Sequence, residues 1–395
     1  MKDLTNLKTF TIDTNNPKEI DDAISLEVDL NGRSYIWIHI SYPVKLFDFE
    51  SNHEKRAQQN GSSLYLVDEY VPMIDPEILE RANLKQNKIS ETLSTRIELC
   101  ENGSIINYQI IEAEIKPNYQ LTYDEANELL DIEPKEEYEL VLLKELLIKS
   151  YKFRKSQGAI MFEMPYSKLK YDQNDNITID KIENTLAHKV VSEAMILMGY
   201  VYSDFLLKNN IPAPFRSQKI NCDSNAILEK HFNSPIKYSI LKQYIGKSFI
   251  SIKANNHETL GLKSYVQATS PLRRYLDLVV QRQISSKLNN LNLISEDIIK
   301  EIIEINKTKQ FELNNIVKEN KLKYLRKFFD QNVEANKIIF IRWVNNKKNI
   351  ALVYFPEYYL ETLIILYSSV ETYTNKIYKV KYSKNVSSNL LEFIN

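Results

Sequence analysis

The chain has 395 residues, of which 43% are hydrophobic, and this is enough apolar material for a large buried core. Its formal net charge is −1 at pH 7, so the whole molecule is not a general binder of nucleic acid and any site for a polyanion must be local. The polar first eight residues, the lack of an apolar run long enough to span a membrane, and two widely separated cysteines, Cys100 and Cys222, predict a soluble, cytoplasmic protein, which we expect to be monomeric.

Three strands are predicted near the N-terminus. Residues 10–12 read as the end of a strand, residues 23–30 alternate apolar and polar side chains, as strands do, and residues 35–40 form a third strand. Asn31-Gly32 predicts a hairpin turn between the second and third strands. The Asn-Asn-Pro sequence at residues 15–17 predicts a turn after the first strand.

Four carboxylates surround that first turn: Asp13, Glu19, Asp21 and Asp22. Because they occupy a loop between paired strands, several of them can converge on one point. Converging carboxylates repel one another unless a cation lies between them, and ligands that are all oxygen suit Mg²⁺ or Mn²⁺. Such an ion can activate a water and hold a phosphate. A solvated acidic turn is the alternative interpretation, and the spacing alone does not decide between the two.

A loop and several further elements are predicted downstream. The Gly-Ser-Ser sequence at residues 61–63 presents Tyr65 from an irregular segment, where an aromatic ring either belongs to the core or stacks on a base. Thr122 and Glu125 form a capping-box pattern that opens a helix. Strands are predicted at residues 92–98, 105–115 and 159–165, and helices at residues 134–156 and 186–208.

Another helix is predicted after Ser270, a good N-cap that is followed by Pro271 at the first helical position. Its inward side is predicted to carry Leu272, Leu276, Val279 and Gln283. Arg273 then falls in the first turn, where free backbone N–H groups and a guanidinium together favour phosphate. The alternative is an arginine paired with Asp277 one turn further on. Both interpretations can hold, for the two different arginines, Arg273 and Arg274.

The last part of the chain is predicted to be one long helix, residues 295–328, followed by four strands. The strands are predicted at residues 338–344, 350–354, 363–367 and 377–382. Residues 331–395 contain eight Lys and Arg against five Glu, a local excess of three positive charges. A small basic β-barrel with exposed aromatic side chains would suit single-stranded nucleic acid.

Four motifs follow one another in order along the chain. They are Ile12-Asp13 with Glu19-Ile-Asp21-Asp22-Ala, then Gly61-Ser-Ser-Leu-Tyr65-Leu with Pro72-Met73, then His188-Lys-Val-Val-Ser-Glu193-Ala-Met, and then Thr269-Ser-Pro-Leu-Arg273-Arg274-Tyr275-Leu-Asp277-Leu. With them the chain resembles the catalytic domain of the ribonuclease II (RNB) family over roughly residues 10–330. Four motifs in order are far more specific than any one of them.

The resemblance implies an α+β fold. Residues 1–330 would form an RNB-type catalytic domain, with a mixed sheet packed by helices around an RNA channel, and residues 331–395 a small, basic, OB-like RNA-binding barrel. It implies a processive 3′→5′ exoribonuclease that hydrolyses single-stranded RNA with Mg²⁺, or with Mn²⁺, and releases 5′-nucleoside monophosphates. The family's usual N-terminal cold-shock domains are not in this sequence, so we expect a short form that handles duplex RNA weakly.

The resemblance also assigns residues to the site. The acidic metal centre would consist of Asp13, Glu19, Asp21 and Asp22. Catalysis would depend on Asp21, Asp22, Arg273 and a distal acid, for which Glu319 is the best match. RNA would contact Tyr65, Phe162, Glu193, Arg274 and Tyr275.

Glu19 stands where the family has aspartate, and Tyr42, Ser192 and Gln281 replace other common site residues. These differences leave three hypotheses. The first is an active metal-dependent 3′→5′ exoribonuclease. The second is an RNB-like RNA-binding protein with impaired or lost catalysis. The third is a carboxylate–magnesium hydrolase that acts on a small phosphate ester.

Overall fold

The structure is a computed structural model and describes residues 1–172, 176–332, 334–368, 371–383 and 390–394. Its strands are β1 (Lys2–Asp3), β2 (Thr9–Asp13), β3 (Asp22–Val28), β4 (Ser34–Ser41), β5 (Leu64–Tyr65), β6 (Tyr70–Val71), β7 (Ser90–Leu99), β8 (Ile105–Ile115), β9 (Tyr119–Thr122), β10 (Tyr166–Tyr171), β11 (Ile177–Ile182), β12 (Phe215–Ser217), β13 (Phe249–Ser251), β14 (Asn336–Asn345), β15 (Ile350–Phe355), β16 (Leu360–Tyr367), β17 (Ile377–Ser383) and β18 (Leu391–Ile394). Its helices are α1 (Asn52–Asn60), α2 (Pro76–Ala82), α3 (Tyr123–Ile132), α4 (Tyr138–Ser156), α5 (Leu186–Lys208), α6 (Ser224–Lys230), α7 (Lys237–Leu241), α8 (Tyr275–Leu288) and α9 (Glu296–Gln331).

A mixed seven-stranded sheet, in the order β1-β8-β7-β4-β3-β2-β9, forms the centre of the large domain. Alternate side chains of β4 enter opposite cores, as the period of two residues in a strand requires. Ile36 and Ile38 pack with the α-helices in the main core, whereas Trp37 packs with a smaller cluster on the other face of the sheet. His39 is fully buried, and its two ring nitrogens are hydrogen-bonded to Ser25 and Ser94 at 2.7 Å each, so it is a structural histidine.

The capping box predicted at Thr122 is confirmed, since both of its hydrogen bonds with Glu125 are present at the start of α3. The strand predicted at residues 159–165 is wrong, because this segment is irregular and the strand begins at Tyr166. The backbone N–H of Ile160 bonds to the carbonyl of Thr259 at 3.0 Å, so the segment docks on a turn instead of joining a sheet.

The helix predicted to start after Ser270 begins four residues later, at Tyr275, and residues 271–273 form a turn. Arg273 therefore precedes the helix and does not lie in its first turn. The cause is tertiary. The N–H of Tyr275 bonds to the carbonyl of Gly61 at 3.0 Å, and Arg274 forms a β-bridge with Ser62, so this stretch is held against another loop before the helix can begin.

By length and composition alone α5 could cross a membrane, which corrects the expectation that no apolar run is long enough. Of its most apolar 18-residue window 61% is buried, and Val190, Ala194 and Val201 lie in the main core. Packing against the sheet and the neighbouring helices accounts for its apolar composition.

The C-terminal strands close into a barrel in the order β14-β15-β16-β18-β17. Phe340, Phe355 and Phe393 fill its interior, and Phe328 and Phe329 at the end of α9 join that core. The long helix thus connects the sheet domain to the barrel. The predicted domain bounds, residues 1–330 and 331–395, stay a prediction.

Candidate active site

Three segments that are far apart in sequence meet at one point. Asp21 accepts a hydrogen bond from the backbone N–H of Leu272 at 2.9 Å and one from Nε of Arg273 at 3.2 Å. The N–H of Ser63 bonds to the carbonyl of Arg273 at 3.1 Å. These contacts join the acidic loop (residues 13–22), the Gly-Ser-Ser loop (residues 61–65) and the arginine turn (residues 270–274) into one site.

Gly61 lets the Gly-Ser-Ser loop approach this point. Its φ of 70° lies in the left-handed region, which glycine enters without strain. A Cβ at this position would lie 2.8 Å from Cγ of Lys309 on α9. The residue therefore ends α1 in a tight turn and leaves room for the long helix beside it.

The acidic residues are crowded and partly removed from water. Asp13 ends β2, Asp22 begins β3, and Asp21 is buried between them. Burial, with the nearby charges of Asp21 and Asp13, raises the pKa of Asp22 to about 7, and Arg273 opposes this rise. Burial raises the pKa of Asp21 to about 6, again opposed by Arg273, and raises the pKa of Asp13. A cation at this point would favour the charged form of each carboxyl group.

Asp13 and Asp22 are the two predicted metal ligands whose carboxylates are not engaged by distant segments among the described residues, so they are the ones that could hold a hard divalent ion. Within the described ranges, no group of three or more His, Cys, Asp or Glu side chains is arranged to hold a metal ion. In the same ranges Asp22 has no side-chain hydrogen bond or ion pair, whereas Asp21 is committed to Leu272 and Arg273. Mg²⁺ commonly takes one or two carboxylates and completes its octahedron with water and phosphate oxygens, which two aspartates can support.

Glu19 lies near Asp21 and Arg273, but hydroxyl groups of another loop engage its carboxylate. Its carboxylate is 4% exposed and accepts hydrogen bonds from the hydroxyls of Ser63 at 2.6 Å, Tyr70 at 2.7 Å and Tyr65. Burial raises the pKa of Glu19 to about 7. Both carboxylate oxygens are therefore engaged by the Gly-Ser-Ser loop and by the hairpin that follows it.

Tyr65 and Tyr70 form an aromatic pair at the mouth of a cleft. Their ring centroids are 5.3 Å apart, and Tyr65 is 48% exposed. The cleft has a volume of about 570 Å³ and lies between the acidic loop, the β5–β6 hairpin, β10 and α9. Lys18, Lys168 and Lys321 line it, and its wall begins at residue 14, next to Asp13. Exposed aromatic rings with cations beside them are what a single-stranded nucleic acid requires.

Four residues predicted to contact RNA lie outside this cleft. Arg274 is paired with buried Asp277 at 2.6 Å, so Arg274 is the arginine that makes the predicted pair with Asp277. Tyr275 is buried and donates to Glu54 at 2.9 Å. Glu193 is buried in an ion pair with Arg154. These three side chains are bonded to other side chains of the protein. Their positions therefore do not support the predicted contact with RNA.

Phe162 is 36% exposed and packs against Tyr238, with ring centroids 5.4 Å apart. It lines a separate cavity of about 180 Å³ with Glu163 and Lys189. Phe162 and Tyr65 therefore line different cavities.

Glu319 is exposed on α9, but the residues of that helix that line the cleft are Val317, Asn320 and Lys321. Asn320 accepts from the N–H of Val67 at 2.9 Å and so holds the hairpin loop. Glu319, predicted as the distal acid, is therefore not among the residues that line the cleft.

Sequence reasoning missed Tyr70 and Tyr123. Tyr70 lies five residues after Tyr65, within the quoted motif, and the hairpin pairs the two directly. Tyr123 stacks on His188, with ring centroids 3.7 Å apart, and burial and the charges of Asp22 and Asp13 raise the pKa of its hydroxyl. The short spacing inside the motif could have indicated Tyr70. No local pattern indicated Tyr123.

Comparison with known proteins agrees with this architecture. A family model described as the RNB domain matches residues 1–290. The chain is 31% identical over 363 residues to an uncharacterized ribonuclease, sll1290, of Synechocystis, covering 91% of this chain and 54% of that protein. It is 33% identical over 295 residues to the chloroplastic/mitochondrial ribonuclease II of Arabidopsis thaliana, covering 72% and 36%. The chain thus spans about half the length, or less, of these curated relatives.

Solved structures share the fold at lower identity. An active-site mutant of the Dss1 exoribonuclease from Candida glabrata superposes with a TM-score of 0.88 at 22% identity, covering all of this chain and 55% of that one. RNase R of Mycoplasma genitalium in complex with ribose-methylated single-stranded RNA gives 0.84 at 17%, covering 100% and 71%. Yeast Ssd1, described as a pseudonuclease, gives 0.68 at 16%, covering 92% and 50%. The predicted α+β fold with a C-terminal barrel is confirmed, and the chain belongs to the RNB domain family.

Proposed function

We propose that this protein is a processive 3′→5′ exoribonuclease that hydrolyses single-stranded RNA with Mg²⁺, or with Mn²⁺, and releases 5′-nucleoside monophosphates. The observation that carries the proposal is the meeting of Arg273 with Asp21, beside Asp13 and Asp22, next to a cleft that Tyr65 lines and whose wall begins at residue 14. The cleft would take the last nucleotides of a strand and bring a phosphodiester to the acidic residues.

Arg273 suits a developing negative charge on phosphate. Its Nε is bonded to Asp21, which fixes the plane of the guanidinium, and its side chain is 42% exposed. Within the described part of the chain its two Nη groups donate no hydrogen bond. A guanidinium held on one edge and open on the other can donate to a phosphate without first reorganising.

Asp13 and Asp22 would hold the divalent ion, which when bound supplies a Lewis acid and an activated water. Asp21 would act through Arg273. Tyr65 and Tyr70 would stack on the terminal bases, and Lys18 and Lys168 would lie near the backbone phosphates.

The test uses a single-stranded oligoribonucleotide labelled at its 5′ end, with Mg²⁺, with Mn²⁺ and with EDTA. We expect a ladder that shortens from the 3′ end, ends in short products and disappears in EDTA. Asp22→Asn should abolish it. Asp297→Asn, which changes an exposed aspartate at the start of α9, should leave it unchanged. The absence of metal-dependent digestion by the wild-type protein would refute the proposal.

A second candidate is an RNA-binding protein of this family without turnover. It is favoured by the engagement of Glu19 with three hydroxyls and by the lack, among the described residues, of a group of three acids arranged for a metal. It predicts that the oligoribonucleotide binds equally well with Mg²⁺ and with EDTA and is not shortened in either.

A further inference from the structure

We propose that Glu19 is a positioning residue that holds the Tyr65–Tyr70 pair at the cleft, and that it is not a metal ligand. The inference deepens the proposed function and rests on it, because it assigns Glu19 to the RNA-stacking part of the site. It also separates Glu19 from the acidic set in which its sequence motif places it.

The hydrogen bonds of Glu19 lead to the loop and to both strands of the hairpin. Oε1 accepts from Ser63 at 2.6 Å and from Tyr70 at 2.7 Å, and Oε2 accepts from Tyr65. The same Ser63 hydroxyl accepts from the N–H of Met73 at 2.8 Å. One carboxylate therefore ties together the Gly-Ser-Ser loop, β5 and β6.

The hairpin needs such an anchor. β5 and β6 have two residues each, and an isolated two-stranded ribbon is marginally stable even when it is longer. Tyr65 is half exposed, so burial of its ring contributes little to holding it. Hydrogen bonds that hydroxyl groups donate to a buried carboxylate are stronger than those between neutral groups and can fix the orientation of both rings.

The same contacts disfavour coordination of a metal ion by the Glu19 carboxylate. A carboxylate has about four lone-pair positions, and three hydroxyls already occupy this one. The length of the glutamate side chain also agrees with a bond to the tyrosine hydroxyls. Its additional methylene carries the carboxylate roughly 1.5 Å further from the backbone than in aspartate, which is the length of one carbon–carbon bond. Glu19 can thus reach the hydroxyls of Tyr65 and Tyr70.

The experiment compares metal binding and RNA binding in the same variants of the full chain. Mn²⁺ alone is titrated and followed by electron paramagnetic resonance, and an oligoribonucleotide is titrated in EDTA and followed by fluorescence anisotropy. Glu19→Gln retains an acceptor oxygen but loses the charge. Glu19→Asp retains the charge but withdraws it from the tyrosines. Tyr70→Phe removes one donor and keeps the ring.

We expect Glu19→Gln to bind Mn²⁺ as the wild type does. Asp22→Asn should bind it at least about tenfold more weakly, because loss of even an outer-shell partner of a metal costs that much. Glu19→Asp and Tyr70→Phe should each weaken RNA binding by about threefold to tenfold, the value of one hydrogen bond. The variant that carries both changes should be no weaker than the weaker single variant, because both remove the same contact.

Loss of Mn²⁺ affinity in Glu19→Gln to the level of Asp22→Asn would overturn the inference. So would unchanged RNA affinity in Glu19→Asp, or additive effects in the doubly substituted variant. If the wild type neither binds nor degrades RNA, the proposed function fails, and hydrogen exchange still tests Glu19. Amides of residues 64–71 should then exchange faster in Glu19→Asp than in the wild type. Equal exchange would contradict the inference that Glu19 holds the β5–β6 hairpin.

Discussion

Glu193 provides a sharp test of which residues of the RNB motifs contact RNA. The resemblance assigns it to RNA, but the structure places it in the interior, where its side chain is 2% exposed and that of its partner Arg154 is 7% exposed. Nη2 of Arg154 lies 2.6 Å from Glu193, and the hydroxyl of Ser150 donates to the same carboxylate at 2.7 Å. Another nitrogen of Arg154 donates to the carbonyl of Leu260 at 2.8 Å. The pair therefore joins α4, α5 and the turn at residues 258–261.

Glu193→Gln should destabilise the large domain by about 3–5 kcal/mol, because it leaves a buried guanidinium without its counter-charge. The matched control is Glu163→Gln, which removes a carboxylate from the partly exposed pair with Lys189 and should cost about 0–1 kcal/mol. RNA affinity should be unchanged in Glu193→Gln under conditions where the variant is folded.

The assay exploits the two tryptophans of the chain. Trp37 lies in the central sheet and Trp343 in the barrel, so a Trp343→Phe background leaves a fluorophore that reports on the large domain only. Urea unfolding is followed by this fluorescence in each variant. A decrease of less than about 1 kcal/mol in the free energy of unfolding of Glu193→Gln, together with weaker RNA binding, would refute the reasoning. It would indicate that Glu193 contacts RNA.

Three further predictions concern the arginine turn and the sheet. Arg273→Lys should lower kcat for RNA cleavage by about 10²- to 10³-fold, because an ammonium group cannot bond Asp21 and a phosphate in the same fixed plane, and a kcat within tenfold of the wild type would contradict this. Asp277→Asn should lower kcat by about 10- to 100-fold with little change in KM, because Asp277 holds Arg274 and the N–H of residue 270 and so sets the turn that carries Arg273, and a change confined to KM would argue against it. Burial lowers the pKa of His39 to about 3 in the folded protein, so the unfolded chain takes up the proton first as the pH falls. The contribution of His39 to stability should therefore be complete above about pH 6.5 and fall by about 1.4 kcal/mol per unit from there towards pH 3, and it is measured as the difference between the wild type and His39→Gln in urea unfolding at several pH values.

Elements with a strong local signal could be predicted from the sequence. Alternation located β3, the strand-like run after the Asn31-Gly32 turn located β4, and helical periodicity located α5. The capping pattern at Thr122 was enough to start α3, because its two hydrogen bonds join residues only three apart. The strand that ends at Asp13 could also be predicted from its local sequence.

The contacts of individual side chains could not be predicted in this way. The sequence allowed an arginine to bind phosphate or to pair with Asp277, but it could not tell Arg273 from Arg274. The β-bridge between Ser62 and Arg274 turns the two side chains to different neighbours, and that bridge joins positions more than two hundred residues apart. For Glu319 the local helix was right, but a shift of one residue on a helix turns a side chain by about 100°, so the face towards the cleft could not be inferred.

By itself, the sequence determined the elements, the order of the motifs and, through that order, the family. These depend on side-chain periodicity and on short-range hydrogen bonds, which act within a few residues. Only the tertiary structure decided that Glu19 holds two tyrosines, that Glu193 is internal and that Arg273 is the arginine beside the acids. Each of those outcomes depends on contacts between segments that are distant in the chain, whose geometry is set by the packing of the whole domain.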